Sequence, residues 1–388
     1  MLRRILFYVF MECMKLTILK ETAAGENRVA ATPETVKKLK ALGHDVILET
    51  GAGTAAGFLD AAYTEQGASI AGSASDAQQG ADLIMRVRGP SADEAKALPE
   101  GAAVIALFDP FNAADALAAA NTRKATTLAM EFTPRITRAQ SMDALSSQSN
   151  LAGYRAVMEG ATIYGRAMPM MMTAAGTVAP AKVFIMGAGV AGLQAIATAR
   201  RLGAVVTATD VRPAAKEQVA SLGAKFIAVE DDEFKEAETA GGYAKQMSPE
   251  YQAKQAELTA KHIAKQDIVV TTALIPGRAA PVLVSEDMVK TMRPGSVVVD
   301  MAVSQGGNCP LSKDNEIVDI GGVKIAGFSN LPARLPADSS SLYAKNLLAF
   351  LPLITAEDGS LNLDTDDEIV TAMILTRGGK TVNERLTS

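Results

Sequence analysis

Three glycines with a fixed spacing are the residues of this chain best suited to binding chemistry. Gly187, Gly189 and Gly192 form the pattern G-x-G-x-x-G between an apolar run at 183–186 and a helical stretch at 190–202. In a strand–turn–helix unit the first glycine permits a tight turn, the second admits a pyrophosphate, and the third allows close packing of helix on strand. The N-terminus of the helix then offers free N–H groups to phosphate. The pattern alone is a weak signal, but its context predicts a dinucleotide site.

An acidic residue at the end of the next predicted strand, 204–209, supports this interpretation. Asp210 lies about twenty residues beyond the glycines, where a carboxylate can accept a hydrogen bond from the adenosine ribose 2′-OH. A carboxylate would repel a 2′-phosphate, so we expect NAD(H) rather than NADP(H). Arg212 could favour a phosphate instead, although it would serve equally well as a solvated loop charge.

A second turn resembles the first but lacks its context. Residues 51–56 read Gly-Ala-Gly-Thr-Ala-Ala after a strand predicted at 44–49. No clear strand ending in an acidic residue follows at the right distance. We therefore interpret this segment as a structural turn.

The elements that position these residues alternate between strand and helix from Met14 onward, which is typical of α/β domains with parallel sheets. We predict two doubly wound parallel-sheet domains, Rossmann-like or flavodoxin-like, joined by two long helices at 141–166 and 338–350. The first domain, nearer to the flavodoxin type, comprises 14–145 and 338–388. The NAD(H)-binding Rossmann domain comprises 146–337. Residues 1–13 are predicted to be an extension outside the fold.

Two segments of the second domain invite functional interpretations. The irregular stretch 229–247 contains Gly241 and Gly242, which could act as a hinge for a lid with Tyr243 at its tip. The methionine-rich segment 168–172 precedes the nucleotide-binding strand. Packing at a domain junction is the favoured interpretation of these methionines, and lining of a nicotinamide pocket is the alternative.

Composition excludes several functions. The net charge of -5 provides no basic surface for nucleic acid. No apolar run reaches the roughly 18 residues that a membrane span needs, so no direct span is expected. Cys13 and Cys309 are far apart and form no C-x-x-C pattern, so neither a metal site nor a disulfide framework is predicted. These features fit a reducing cytoplasm.

Segments 20–33, 187–192 and 294–300 resemble alanine dehydrogenase and its relative, the NAD(H)-binding alpha subunit of proton-translocating NAD(P) transhydrogenase. The resemblance runs from Met14 to the C-terminus. Three positions depart from the dehydrogenase: Asn112, Arg88 and Ser304 stand where it has its catalytic His, a substrate Lys and an active-site Asp. Arg28, which corresponds to the pyruvate carboxylate partner, remains. Asn112 cannot act as an acid or base near neutral pH, so the dehydrogenase chemistry is disfavoured.

The transhydrogenase resemblance also implies roles for particular residues. Arg135, Gln140 and Asp143 match a loop that touches NAD(H) and the partner's nucleotide, with Gln140 reaching across. Local alternatives remain: Asp143 could cap a helix, Arg135 could pair with a carboxylate, and Tyr243 could simply pack. The implied cofactor-binding residues are Gly187, Ala188, Gly189, Val190, Gly192, Asp210, Val211, Arg212, Ile136, Thr137, Ser141, Met142, Gly242, Tyr243, Gln255 and Leu274.

The resemblance implies a subunit that passes hydride directly between NAD(H) and NADP(H) bound on a partner subunit. Membrane-spanning partners would couple this transfer to proton translocation and hold the chain at the cytoplasmic face of the inner membrane. It also implies a homodimer. The alternatives are an alanine dehydrogenase-like amino-acid dehydrogenase and an NAD-sensing binding module.

Overall fold

The computed structural model describes residues 13–235, 247–275 and 277–387. The chain divides into two compact units, of which the first ends at Gln148 and resumes at Ala333, and the second is Ser149–Pro332. The domain limits predicted at 145 and 338 lie near these junctions. Of the predicted extension 1–13, all but Cys13 lies outside the described residues.

The strands belong to two large sheets and one hairpin. In chain order they are β1 Lys15–Ile18, β2 Asp45–Glu49, β3 Ser69–Ala71, β4 Leu83–Arg88, β5 Ala103–Leu107, β6 Thr126–Ala129, β7 Met171–Thr173, β8 Gly176–Val178, β9 Lys182–Met186, β10 Val205–Thr209, β11 Lys225–Phe226, β12 Ile268–Thr271, β13 Val297–Asp300, β14 Ile317–Ile320, β15 Val323–Gly327, β16 Ile374–Arg377 and β17 Lys380–Thr381.

Helices connect most of these strands. They are α1 Pro33–Ala41, α2 Asp60–Thr64, α3 Ala74–Gln78, α4 Ala92–Lys96, α5 Ala114–Thr122, α6 Ala144–Tyr164, α7 Val190–Arg201, α8 Ala215–Ser221, α9 Asp232–Lys235, α10 Pro249–Ile263, α11 Glu286–Thr291, α12 Pro336–Phe350, α13 Glu368–Met373 and α14 Glu384–Thr387. Across the described ranges, none of the helices combines the length and apolar character that a bilayer crossing requires.

The first unit has a sheet of order β17-β16-β6-β5-β4-β1-β2-β3, in which β1 to β6 are parallel and β16 is antiparallel to β6. The order 3-2-1-4-5-6 is that of dinucleotide-binding sheets, whereas flavodoxin has 2-1-3-4-5. Of the two doubly wound types, the first unit therefore has the Rossmann one, which corrects the expectation of a flavodoxin-like domain. The two strand orders differ by β3, a short edge strand that pairs with β2. Its sequence has no clear apolar run that would have predicted it.

The second unit has a sheet of order β11-β10-β9-β12-β13-β15-β14, with only β14 antiparallel among these strands. Val183 of β9 is paired with both Val206 of β10 and Ile268 of β12, and these three side chains are buried in the core. From β9 the strand order runs in two opposite directions, toward β10 on one side and toward β12 on the other. The crevice at the carboxyl ends of β9 and β12 is therefore the usual ligand position of such a sheet.

Capping residues determine where two helices begin. Thr32 caps α1 and Pro33 occupies its first position, as the sequence predicts. The long helix α6 begins at Ala144, three residues after the predicted start, because 137–142 forms a tighter 3₁₀ turn and Asp143 accepts a hydrogen bond from the Ser146 N–H at 2.8 Å. The chain leaves the first unit within α6 and re-enters it at Ala333, just before α12.

The methionine-rich segment lies mostly on an exposed hairpin. Met168 is buried in the core of the second unit, but Met170 and Met172 are 60% and 78% exposed. Met171 pairs with Val178 across the antiparallel strands β7 and β8. The expectation that these side chains pack is wrong for Met170, Met171 and Met172, because the segment forms its backbone hydrogen bonds within its own hairpin and leaves these side chains exposed.

Candidate functional site

The first and third glycines of the motif are required by close packing. Gly187 has φ +106°, and a Cβ there would lie 2.4 Å from Thr272 Oγ1. A Cβ on Gly192 would lie 1.8 Å from the carbonyl oxygen of Gly187. A side chain at Gly187 would collide with the residue that follows β12, and one at Gly192 would force α7 away from the end of β9, so a tight turn and close packing require these two glycines.

The second glycine, by contrast, faces open space. Apart from its neighbours in the chain, no heavy atom of the described residues lies within 4 Å of a Cβ built on Gly189. Its backbone, at φ −74° and ψ −169°, is accessible to any residue, so strain does not require a glycine here. Gly189 immediately precedes α7, whose first N–H groups lack partners within the helix. An open backbone at a helix N-terminus fits a pyrophosphate.

Asp210 lies beside this turn at the end of β10. Its Oδ2 accepts the Ala188 N–H at 2.7 Å, and the Arg212 guanidinium donates to Oδ1 at 2.9 Å and to Oδ2 at 3.0 Å. Burial alone would raise the pKa of Asp210, but the hydrogen bonds from Arg212 and from two backbone N–H groups hold that pKa below its usual range. The carboxylate is therefore ionised at neutral pH, and Arg212 is directed toward it.

Two further predicted residues lie at the same edge of the sheet. Gln255 on α10 accepts the Val229 N–H at 2.9 Å and donates to Thr209 Oγ1 at 3.3 Å, which ties the helix to β10. Leu274 follows β12 and is exposed. The exposed apolar side chains that follow β9, β10 and β12 are Val190, Val211, Leu274 and Ile275. Flat apolar rings of a nucleotide fit such an edge.

Sequence reasoning missed three residues that support the turn. Thr272 Oγ1 donates toward the carbonyl oxygens of Met186 and Gly187, both at 3.3 Å. The buried Asn308 exchanges hydrogen bonds with the backbone of Ala273, with distances of 3.1 and 2.9 Å. A Cβ on Gly153 of α6 would lie 2.0 Å from the Ala191 carbonyl. All three contacts join segments far apart in the chain, so no local pattern could have indicated them.

The Arg-Gln-Asp segment belongs to the first unit. Arg135, Thr137, Gln140 and Ser141 are exposed, and Ile136 is partly buried. Met142 is buried in the core of this unit, so its backbone and not its side chain is available to a nucleotide.

Asp143 has the capping role that the sequence left open. Its Oδ1 accepts the Ser146 N–H and its Oδ2 accepts the Ser146 hydroxyl at 2.5 Å. This is the geometry of an N-cap, in which the side chain satisfies an otherwise unpaired donor in the first turn of α6. Asp143 therefore joins the 3₁₀ segment 137–142 rigidly to α6.

The predicted lid residues Gly242 and Tyr243 lie outside the described residues. The segments on either side are held together: Glu233 accepts the Ser248 hydroxyl at 2.6 Å, and Phe234 stacks on Tyr251 with ring centroids 6.4 Å apart. Phe234, Met247 and Tyr251 are all buried in one small cluster.

A cavity of about 300 Å³ in the first unit is lined by charged side chains. Arg28 there donates to Glu26 Oε1 at 2.7 Å and Oε2 at 2.6 Å, and to Gln148 at 2.8 Å. Its guanidinium is therefore already committed within the protein. Asn112 is exposed and donates to Asp109 at 3.0 Å. Neither residue offers a proton-transfer group.

Buried carboxyl groups near these strand ends were not foreseen. Burial raises the pKa of Glu21 to about 7, against the opposing effect of Arg86. Both Glu21 oxygens accept backbone N–H groups, from Val87 at 2.6 Å and Arg88 at 3.3 Å. Burial also raises the pKa of Glu131, which accepts the Asp109 N–H. The Glu21 contacts tie adjacent elements of the first unit together.

The part of the chain that the structure describes contains no group of three or more His, Cys, Asp or Glu side chains suited to a metal ion.

Two family models match the chain. The alanine dehydrogenase/PNT N-terminal domain matches residues 17–152, and the alanine dehydrogenase/PNT C-terminal domain matches residues 156–384. Together they cover most of both structural units.

The chain is similar over nearly its whole length to known proteins. It is 54% identical over 380 residues to an NAD(P) transhydrogenase subunit alpha polypeptide of Rhodospirillum rubrum, and the match covers 96% of this chain and 99% of that protein. The crystal structure of transhydrogenase from Sinorhizobium meliloti aligns with a TM-score of 0.87 and 56% identity, covering 95% of this chain and 100% of that one.

Alanine dehydrogenases are more distant relatives. The enzyme of Methanococcus maripaludis is 29% identical over 382 residues, covering 96% of this chain and 94% of that protein. The family models and these identities confirm the resemblance stated from the sequence. The chain belongs to the alanine dehydrogenase/PNT family and, within it, to the alpha subunits of NAD(P) transhydrogenase.

Proposed function

We propose that the carboxyl edge of the second sheet binds NAD(H) and that hydride passes directly between it and NADP(H) bound on a partner subunit. The observation that carries this proposal is the open backbone at Gly189 beside an ionised, partly buried Asp210. One feature admits a phosphate and the other selects a ribose with a free 2′-OH.

The binding residues have distinct tasks in this proposal. N–H groups at the start of α7 bind the pyrophosphate, and Asp210 accepts a hydrogen bond from the ribose. Arg212 keeps that carboxylate ionised and oriented through two hydrogen bonds. Leu274 and Val211 provide apolar surface at the same edge. Bound NAD(H) supplies the hydride donor or acceptor of the reaction.

The replacement of the dehydrogenase's catalytic His by Asn112 supports transfer between two nicotinamide rings. Oxidation of an amino or hydroxy acid needs a group that moves a proton together with the hydride, whereas exchange between two rings needs none. Asn112 cannot titrate, and Arg28 is held by Glu26. Residues of the first unit, Gln140 above all, would position the partner's nucleotide, because rate in such a reaction depends on near-attack geometry.

The partners follow from the same proposal. A membrane-spanning partner with an NADP(H)-binding domain would couple hydride transfer to proton translocation and hold the chain at the cytoplasmic face of the inner membrane. We also propose a homodimer. The hairpin of β7 and β8 is a suitable contact surface for a second copy, because Met170, Met171 and Met172 expose adaptable apolar side chains there.

Mixing the purified chain with its NADP(H)-binding partner tests the proposal. With NADH and a spectroscopically distinct NADP⁺ analogue, we expect reduction of the analogue that requires both proteins. With pyruvate and ammonia in place of the partner, we expect no NADH oxidation. Turnover of pyruvate would instead support the alanine dehydrogenase alternative, and NADH binding without any transfer would indicate a sensing module.

A further inference from the structure

Gln140 is displayed on a short, exposed segment of the first unit. It lies in the 3₁₀ turn 137–142, and its side chain forms no hydrogen bond within the described part of the chain. A free amide at an exposed site is available to a partner. Because it has no hydrogen bond of its own to fix it, its position must be set by the backbone that carries it.

That backbone is fixed by the packing of neighbouring side chains and by hydrogen bonds to helix α12. The flanking side chains of Ala139 and Met142 are buried in the core of the first unit. Asn346 on α12 donates to the Ser141 carbonyl at 2.8 Å and accepts the Ser147 hydroxyl at 2.7 Å. These contacts hold the end of the turn that follows Gln140.

The side before Gln140 is held by an ion pair. Arg138 Nη1 donates to Asp367 Oδ2 at 2.6 Å and Nη2 donates to Oδ1 at 3.2 Å. Glu368 lies 3.5 Å from the same guanidinium. Asp367 is itself fixed, since its Oδ1 caps α13 through the Ile369 N–H at 2.9 Å.

This pair is poorly placed to stabilise the fold. The Arg138 side chain is 48% exposed, and ion pairs exposed to this degree contribute little to stability. A planar, two-pronged contact nevertheless restricts the position and orientation of what it joins. Its effect falls on the turn that carries Gln140.

We infer that the Arg138–Asp367 pair is a positioning device that sets the Gln140 turn for hydride transfer to the partner-bound nucleotide. The inference rests on the proposed function. Loosening the pair leaves the NAD(H) site of the second unit intact and disturbs only the placement of the Gln140 amide. Small misplacements of this kind are costly in reactions that depend on close approach.

The test compares Arg138→Ala, Asp367→Asn and the double variant in the two-protein transfer assay. Asparagine preserves the cap on α13 and removes the charge. Each single variant should slow transfer about fivefold to tenfold, with NADH affinity changed by less than about twofold. The double variant should be no slower than Arg138→Ala alone, because that variant already removes the whole contact. The control is Lys124→Ala, which breaks a more exposed ion pair with Glu100 in the same unit and should transfer at the normal rate.

Two results would overturn the inference. If Arg138→Ala slows transfer while Asp367→Asn does not, Arg138 acts on the partner directly and not through the turn. If neither variant slows transfer, the pair has no positioning role. Failure of the unchanged chain to transfer hydride would overturn the proposed function itself, and the inference with it. Melting temperatures within about 2 °C of the unchanged chain should confirm that the variants are folded.

Discussion

Two turns in this protein begin with the same three residues, Gly-Ala-Gly, yet their second glycines have opposite surroundings. A Cβ on Gly53 would lie 2.4 Å from the Tyr63 hydroxyl and 2.7 Å from the Phe58 carbonyl, whereas the space before Gly189 is open. The N–H of Gly51 is taken by Asp60 at 2.9 Å. The first turn is therefore closed at its second glycine, although other residues of this turn line the cavity beside Arg28, and the second turn is open to a ligand at Gly189.

The difference teaches that a glycine motif has two separable uses. In the first turn glycine removes a side chain so that the protein can pack against its own backbone. In the second turn Gly189 removes a side chain so that another molecule can approach. The two uses predict opposite consequences for substitution.

Replacing Gly189 by Leu should have the largest effect on function. Its backbone angles suit any residue and the surrounding space is open, so the fold should stand. The new side chain would occupy the approach to the helix N-terminus, and NADH affinity should fall by about a thousandfold. Calorimetry measures the affinity and thermal unfolding measures the fold. Unchanged NADH affinity would refute the site.

The corresponding substitution in the first turn should lower the stability of the fold and leave NADH affinity unchanged. Gly53→Ala places a methyl group against Tyr63, which is buried and donates to the Ala31 carbonyl at 2.9 Å. The free energy of unfolding should fall by about 2 to 3 kcal/mol, while the folded protein binds NADH normally. Chemical denaturation and calorimetry separate the two effects. A loss of NADH affinity without loss of stability would mean that the closed turn also binds nucleotide.

The two units also differ in the pKa of a carboxyl group, which is raised for Glu21 in the first unit and lowered for Asp210 in the second. Glu21 has its pKa raised to about 7, so its contribution to stability is fully present below its unfolded value and is lost as the pH rises through about 7. Relative to Glu21→Gln, the unchanged chain should lose on the order of 2 kcal/mol of stability between pH 5 and pH 8. Denaturant titrations of both proteins at each pH measure this. A constant difference would show that Glu21 titrates normally.

Asp210 should show the opposite pH dependence from Glu21. Its substitution should have the smallest effect of the four substitutions considered. Its pKa is depressed, so its contribution to stability is present above the unfolded value and is lost as the pH falls through the folded one. Asp210→Asn should lower NADH affinity about tenfold at neutral pH, since it weakens the ribose contact and the Arg212 pair. It should also lessen the preference for NADH over NADPH in competition binding. An unaltered preference would show that Asp210 does not select the nucleotide.

Much of the architecture could be predicted from local patterns. The run 183–186, the glycines after it and Asp210 identified the nucleotide unit, and the strands predicted at 44–49 and 204–209 lie within one residue of the observed bounds of β2 and β10. Continuous apolar runs between turn residues suffice for this, because buried parallel strands produce that pattern. The edge strand β3 and the hairpin β7–β8 lack such runs and were not foreseen.

The sequence by itself thus determined the α/β class with parallel sheets, the nucleotide motif and the acid beside it, because these depend on neighbours within a few residues. Only the tertiary structure decided what packs against Gly53, that Asp210 is held by Arg212, and that Met142 is buried. The physical reason is distance along the chain. Thr272 meets Gly187, and Gly153 meets Ala191, only after strands and helices from separate segments have packed together.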